Sequence, residues 1–132
     1  MSREIAWCGL DCTACKGRMD VIRERVILLN EAFAAANIGE VAKEIPFMRL
    51  NYRGYTKITE FFSTPCKGCR QMGGNPFCSI RKCAQKQGYQ TCAECDDLCK
   101  KFRPLLRIHA DGEVQHNIEA IRKMGLEAFS DQ

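Results

Sequence analysis

The chain has 132 residues and a mass of 15.0 kDa, and its 45% hydrophobic and 27% charged residues are typical of one folded domain rather than a disordered chain. No stretch approaches the roughly 20 apolar residues of a membrane helix, so a membrane protein is excluded. Charged residues near the N-terminus occupy the positions where a secretory signal is apolar, which predicts a cytoplasmic protein. The net charge of +4 only weakly suggests nucleic-acid binding.

The first half of the chain is predicted to be largely helical. Apolar residues recur three and four positions apart over 18–37, which predicts a helix with one inward-facing stripe. That stripe consists of Met19, Ile22, Val26, Leu29, Phe33 and Ala36. A short helix is predicted at 40–45, then extended chain over Phe47–Tyr55 with a turn at Gly54, then a short helix over Thr56–Ser63.

The second half of the chain alternates loops and short helices. Gly73–Pro76 is predicted to be a loop, because glycine and proline interrupt regular structure. Helices are predicted over Ser79–Gln87, over Asp96–Arg103 with Pro104 ending it, and over Glu113–Met124. No alternating apolar run is long enough for a large sheet. The predicted fold is therefore mainly α: one small metal-stabilised domain over residues 1–132, with cysteine knuckle loops and little β structure.

Ten cysteines are far more than a cytoplasmic protein of this size needs for packing. In a reducing compartment they indicate metal binding rather than disulfides. They form three groups: Cys8, Cys12 and Cys15; Cys66, Cys69, Cys78 and Cys83; Cys92, Cys95 and Cys99. Each group contains a Cys-x-x-Cys pair, whose tight turn directs two sulfurs toward one ion. All ten are therefore candidate metal ligands.

The spacing favours about two zinc ions per chain. The middle group supplies four thiolates in a short segment, which predicts one closed, structural site. The pairs Cys12/Cys15 and Cys92/Cys95 are able to form a second site, but spacing alone does not divide the remaining six cysteines. Two tetrathiolate sites, each with a charge of about −2, cancel the net charge of +4, so nucleic-acid binding is not expected. The nearby basic residues are expected to offset this charge: Lys67, Arg70, Arg81 and Lys82.

Other functions remain open on the residues alone. Cysteine thiolates also hold iron–sulfur clusters. A thiol-based redox or metal sensor would use Cys8 or Cys99 as its switch. An enzyme would need an open metal position in the six-cysteine site, and no Ser-His-Asp order, P-loop or pair of catalytic carboxylates is present. The favoured interpretation is a non-enzymatic zinc module that acts through an unidentified protein partner.

The order of these motifs resembles a known family. Cys8-Gly-Leu-Asp-Cys-Thr-Ala-Cys, Cys66-Lys-Gly-Cys-Arg, Cys78-Ser-Ile-Arg-Lys-Cys-Ala and Cys92-Ala-Glu-Cys are similar to those of a family of small prokaryotic cysteine-rich proteins, a domain of unknown function. The resemblance spans roughly residues 5–129. It implies zinc ligation through these cysteines and no established activity. This chain departs from its relatives at Asp97-Leu98, before Cys99, where they often carry an aromatic residue and a proline.

Overall fold

The computed structural model describes residues 2–15 and 20–132. The structure is 64% helical with no strand in those residues, which confirms the prediction of a mainly α fold. It divides into two compact units, here named the helical unit (residues 20–66) and the cysteine-rich unit (residues 2–15 and 67–132). One domain over the whole chain stays a prediction, as does stabilisation by metal. In the part of the chain described, no helix is both long and apolar enough to cross a membrane.

The helical unit contains three helices. They are α1 (Asp20–Ala35), α2 (Ile38–Glu44) and α3 (Pro46–Ser63). The helix predicted at 18–37 is confirmed over α1, and its first two residues lie outside the described residues. α2 begins after Asn37, which has a positive φ of 53° and so turns the chain between the two helices. An aromatic contact joins α1 to α3, between Phe33 and Tyr55.

The core of the helical unit is small. The Phe33 ring lies 4.5 Å from that of Tyr55, whose hydroxyl donates a hydrogen bond to Asn30 Oδ1 at 2.6 Å. Along the predicted stripe of α1, Phe33 and Val26 are half-buried, whereas Leu29 remains 43% exposed. Met19 of that stripe lies outside the described residues. The stripe is therefore only partly covered within the unit.

The prediction of extended chain over Phe47–Tyr55 is wrong, because α3 runs without interruption from Pro46 to Ser63. Pro46 occupies the first turn of the helix, where its fixed φ and missing N–H are favourable. Gly54 was predicted to form a turn but lies inside the helix, at a cost of roughly 1 kcal/mol relative to alanine. Packing of Tyr52 and Tyr55 inside the unit outweighs that cost.

The cysteine-rich unit contains four α-helices and three short 3-10 turns. The helices are α4 (Ser79–Gln87), α5 (Arg103–Ile108), α6 (Glu113–Met124) and α7 (Leu126–Ser130), and the turns are Cys69–Gln71, Cys92–Glu94 and Lys100–Phe102. The predictions of α4 and α6 are confirmed at both ends. Gly88 ends α4 in the left-handed conformation, with φ 73°. The helix α7 was not predicted.

The prediction of a helix over Asp96–Arg103 is wrong. Residues 96–99 are not helical, a 3-10 turn follows at Lys100–Phe102, and α5 begins at Arg103. Pro104 lies in the first turn of α5, so it begins a helix instead of ending one. A proline is tolerated there because the first N–H groups of a helix have no partner within it.

The core of the cysteine-rich unit joins the N-terminal segment to α4 and α6. Its buried members are Ile80, Ala84, Cys92, Phe102, Val114 and Ile118, with Trp7, Cys8 and Cys78 packed against them. The buried Asn117 amide donates a hydrogen bond to the Gly9 carbonyl at 2.8 Å. Three cysteines that are far apart in sequence therefore contact one apolar core.

Candidate metal centre

A tight loop at the N-terminus positions Cys8 and Cys12. The Ala6 N–H donates to the Leu10 carbonyl at 2.9 Å, and the Cys12 N–H donates to the Glu4 carbonyl at 2.7 Å. An isolated antiparallel bridge pairs Ile5 with Asp11. Cys8 therefore lies in the turn of a short hairpin, and Cys12 lies just after its returning arm.

Arg81 fixes the loop that carries Cys69 and Cys78. Its buried guanidinium donates to the carbonyls of Gly73 at 2.7 Å and Asn75 at 2.9 Å, and more weakly to that of Cys69 at 3.4 Å. Cys78 caps the N-terminus of α4, and its sulfur accepts the Arg81 backbone N–H at 3.5 Å. Donors at a helix N-terminus favour negative charge on such a sulfur.

Four cysteines of the unit come together on this side of α4. The Cys69 and Cys12 side chains are hydrogen-bonded to each other. The Cys8 thiol is close enough to those of Cys78 and Cys12 to interact with them electrostatically. We name this set the N-terminal cluster: Cys8, Cys12, Cys69 and Cys78. It draws two cysteines from the first sequence group and two from the second.

Burial and neighbouring thiols disfavour the thiolate forms of Cys8 and Cys69 when no cation is present, because both pKa values are raised. Burial raises the pKa of Cys8 to about 11, and a hydrogen bond from the Leu10 backbone N–H partly opposes this rise. The hydrogen bond with Cys12 raises the pKa of Cys69, and burial raises it further, while Arg81 lowers it. A bound divalent cation reverses this preference, because it stabilises the thiolate form directly.

Four further cysteines of the cysteine-rich unit line one small cavity. They are Cys83, Cys92, Cys95 and Cys99, which we name the C-terminal cluster. The cavity has a volume of about 30 Å³, enough for a single ion or water, and Ile80, Ala84 and Phe102 form part of its wall. Burial raises the pKa of Cys92 to about 12, and repulsion from neighbouring cysteines of both clusters adds to the rise.

The Cys92–Cys95 turn is held by a capping box. The Thr91 hydroxyl accepts the Ala93 N–H at 3.1 Å, and the Glu94 carboxylate accepts the Thr91 N–H at 3.2 Å. From α6, Arg122 Nε donates to the Ala93 carbonyl at 3.1 Å. The sequence analysis missed these residues, although Thr-x-x-Glu is a recognisable capping signature.

The helix α4 separates the two clusters. Cys78 and Cys83 are five residues apart, which corresponds to about 140° around an α-helix, so their side chains face different sides. Ile80 lies between them and lines a cavity on each side. The structure therefore does not gather Cys69, Cys78 and Cys83, which were expected in one site with Cys66, at one point.

Two cysteines belong to neither cluster. Cys15 is exposed, and Cys66 is the last residue of the helical unit, outside the cysteine-rich unit. The Cys12/Cys15 and Cys66/Cys69 pairs thus contribute one cysteine each to the clusters. All ten cysteines lie in the described part of the chain, and none forms a disulfide.

The clusters supply the thiolate ligands that zinc prefers, but in this structure their sulfurs are farther apart than zinc ligation requires. Tetrahedral Zn–S bonds near 2.3 Å require sulfurs about 3.8 Å apart. Within the described residues, no three cysteine sulfurs lie within 4.8 Å of one another. Rotation about χ1 moves a cysteine sulfur without moving its backbone. Binding thus requires the side chains to turn inward.

The one described set whose ligand atoms meet the 4.8 Å distance is His109, Asp111 and Glu113. The Asp111 carboxylate accepts the Glu113 N–H at the start of α6, and His109 Nδ1 lies 3.6 Å from the Glu113 carboxylate. A turn hydrogen bond between Glu113 and Asp111 and the contact between His109 and Glu113 therefore account for this arrangement without a metal.

A larger apolar cavity opens beside the N-terminal cluster. It has a volume of about 360 Å³, and Trp7, Pro104 and Leu105 line it together with Cys8, Cys69 and Cys78. The Arg70 guanidinium lies 4.4 Å from the centre of the Trp7 ring. It donates to the Ile5 carbonyl at 2.8 Å. Three of the four cysteines of the N-terminal cluster therefore line this cavity.

Comparison with known proteins gives one match. A family model with the description "Protein of unknown function (DUF3795)" matches residues 4–104. That range includes all ten cysteines and ends before α6. No curated protein and no solved structure matches the chain significantly.

Proposed function

The chain belongs to the DUF3795 family, and we propose that it is a zinc-binding protein with two structural tetrathiolate sites. The observation that carries the proposal is the division of eight cysteines into two sets of four, the ligand number of a closed zinc site. One zinc ion binds the N-terminal cluster and the other binds the C-terminal cluster. Because neither closed site has an open coordination position, the metals stabilise the fold and perform no catalysis.

The long sequence separation of the ligands explains why the metals stabilise the unit. The N-terminal cluster ties the first hairpin to the loop before α4, and the C-terminal cluster ties α4 to the segment over residues 92–99. In the unfolded chain the ligands are separated by long loops whose closure costs entropy, so the unfolded chain binds the ion far more weakly. Since the sites form only in the folded state, zinc-binding energy contributes directly to folding.

The charges around the clusters are consistent with this role. Arg70 and Arg81 lie close enough to the N-terminal cluster to interact electrostatically with its cysteines. Both guanidiniums are engaged with backbone carbonyls, so they act as fixed positive charges near a dianionic site. This arrangement favours the offsetting role expected from the sequence over a phosphate-binding patch.

The iron–sulfur cluster is the alternative that the same residues support, since four thiolates also hold [4Fe–4S] clusters. The thiol-based sensor has less support, because burial raises the pKa of Cys8, one of its two candidate switches. A reactive switch needs a lowered pKa and exposure. A cytoplasmic location and a protein partner stay predictions that belong to this proposal.

Single cysteine-to-serine variants test the division of ligands. Metal content per chain is measured by elemental analysis, with circular dichroism as the check of folding. Cys69→Ser and Cys92→Ser are each expected to lose about one zinc ion and keep the other. Cys15→Ser and Cys66→Ser are the matched controls and are expected to keep both. A control variant that loses zinc as Cys69→Ser does would overturn the proposed ligand sets.

A further inference from the structure

The helix α3 exposes a row of large apolar side chains. Phe47 is 79% exposed, Leu50 is 74%, Ile58 is 61% and Phe61 is 64%. These residues and Gly54 recur at intervals of three and four, so they form one line along the helix, which we name the α3 stripe. The face that packs inside the helical unit is a different one, with Tyr52, Tyr55 and Thr59.

The α3 stripe is symmetric about Gly54. Leu50 and Ile58 lie four residues before and after it, and Phe47 and Phe61 lie seven residues before and after it. Two such helices that cross in antiparallel orientation at Gly54 place Phe47 of each against Phe61 of the partner subunit. Leu50 then meets Ile58 of the partner subunit. A two-fold interface requires this kind of self-complementary surface.

We infer that α3 is the interface of a homodimer, in which a second copy of this chain covers the α3 stripe in antiparallel orientation. Gly54 supports the crossing point. Glycine is the least favourable residue after proline inside a helix, and no packing contact requires it here, because a Cβ added at Gly54 would meet no neighbouring atom within 4 Å. A missing side chain at the centre of the stripe allows two helix backbones to approach closely.

The polar residues beside the α3 stripe are compatible with the antiparallel orientation. Lys57 lies three residues after Gly54 and Asn51 three residues before it. The two residues lie on opposite flanks of the stripe, so an antiparallel pair places the two Lys57 side chains at levels about 9 Å apart along the helices. A parallel pair would place the two Lys57 side chains at the same level, which is less favourable for like charges.

The exposed area is sufficient for a specific dimer. With 150–250 Å² as the approximate area of one aromatic side chain, the four exposed side chains present on the order of 500 Å² per copy. Two copies thus bury on the order of 1,000 Å², about the lower limit for a specific protein interface. A patch of this size is near the upper end of the largest patches on monomers, which are often functional.

The test measures the mass of the zinc-loaded full chain by sedimentation, with charged residues placed at the two ends of the stripe. The wild type is expected at twice 15.0 kDa. The double variant Phe47→Glu, Phe61→Glu places like charges opposite each other and is expected to be monomeric. The double variant Phe47→Glu, Phe61→Lys pairs opposite charges only in the antiparallel dimer and is expected to remain dimeric.

Two further variants separate dimer loss from misfolding. Gly54→Leu replaces glycine with a strong helix former, so the helical signal is expected to be kept or increased while the dimer dissociation constant rises at least about 100-fold. Arg53→Glu, on the polar face of α3, is the control and is expected to leave the mass unchanged. A monomeric wild type, or the same mass for both Phe47/Phe61 double variants, would overturn the inference. These outcomes do not depend on which metal the clusters bind.

Discussion

Replacing Arg81 with methionine removes a buried positive charge and its hydrogen bonds while keeping a side chain of similar length. The guanidinium donates two short hydrogen bonds, to the Gly73 and Asn75 carbonyls, and a longer one to Cys69. Hydrogen bonds from a charged donor contribute about 1.5–3 kcal/mol each to the free energy of unfolding. Removing the buried charge also removes its desolvation cost, which offsets part of that loss. The expected loss of stability is therefore about 3 kcal/mol.

The same substitution is expected to weaken zinc binding at one cluster only. Arg81 fixes the loop between Cys69 and Cys78, and loss of a residue that orients metal ligands typically lowers affinity by about 10–100-fold. The C-terminal cluster should keep its affinity. Urea denaturation of the zinc-loaded protein and competition with a chromophoric chelator measure the two effects.

Lys82→Met is the matched control, because Lys82 is the next residue of α4 and is exposed. It is expected to change stability by less than about 0.5 kcal/mol. Equal unfolding midpoints and equal zinc affinities for the two variants would refute the argument that Arg81 positions the ligands.

Three other perturbations test the packing and the metals. Phe102 is 2% exposed, so Phe102→Ala leaves a cavity and should lower the free energy of unfolding in urea by about 3–5 kcal/mol. Phe77 is 80% exposed, so Phe77→Ala should leave the free energy of unfolding almost unchanged. Gly9→Ala should lower the melting temperature more than Gly88→Ala. Both glycines have a positive φ, so both substitutions strain the backbone, but only at Gly9 would the added Cβ also meet a side chain, that of Ile118 at 3.1 Å. Removal of zinc with a chelator should abolish much of the helical circular-dichroism signal, and full retention of that signal would contradict metal-dependent folding.

Helices were predictable where the apolar periodicity ended at a clear signal. Glu113–Met124 and Ser79–Gln87 are each followed by glycine, and the structure has the same bounds. The extended chain predicted in place of α3 followed from taking Pro46 as the end of a helix and Gly54 as a turn, whereas Pro46 begins α3 and Gly54 lies inside it. The same ambiguity applies to Pro104, since proline is as compatible with a helix start as with a helix end.

The partition of the candidate ligands was not predictable from the sequence, and metal ligation by the cysteines stays a prediction. Spacing identifies cysteines that are able to share an ion, and it favoured Cys66, Cys69, Cys78 and Cys83 in one site. The direction of each sulfur depends on where a helix begins, and α4 begins between Cys78 and Cys83. Which segments meet in space depends on tertiary packing, which brings Cys12 to Cys69.

The metal content of the wild-type protein tests the central claim most directly. Protein purified without air is analysed for zinc and iron together with its protein concentration, so that each metal is expressed per chain. The account predicts about two zinc ions and little iron per chain, one for each cluster. About four iron atoms per chain would contradict it and make an iron–sulfur protein the better description.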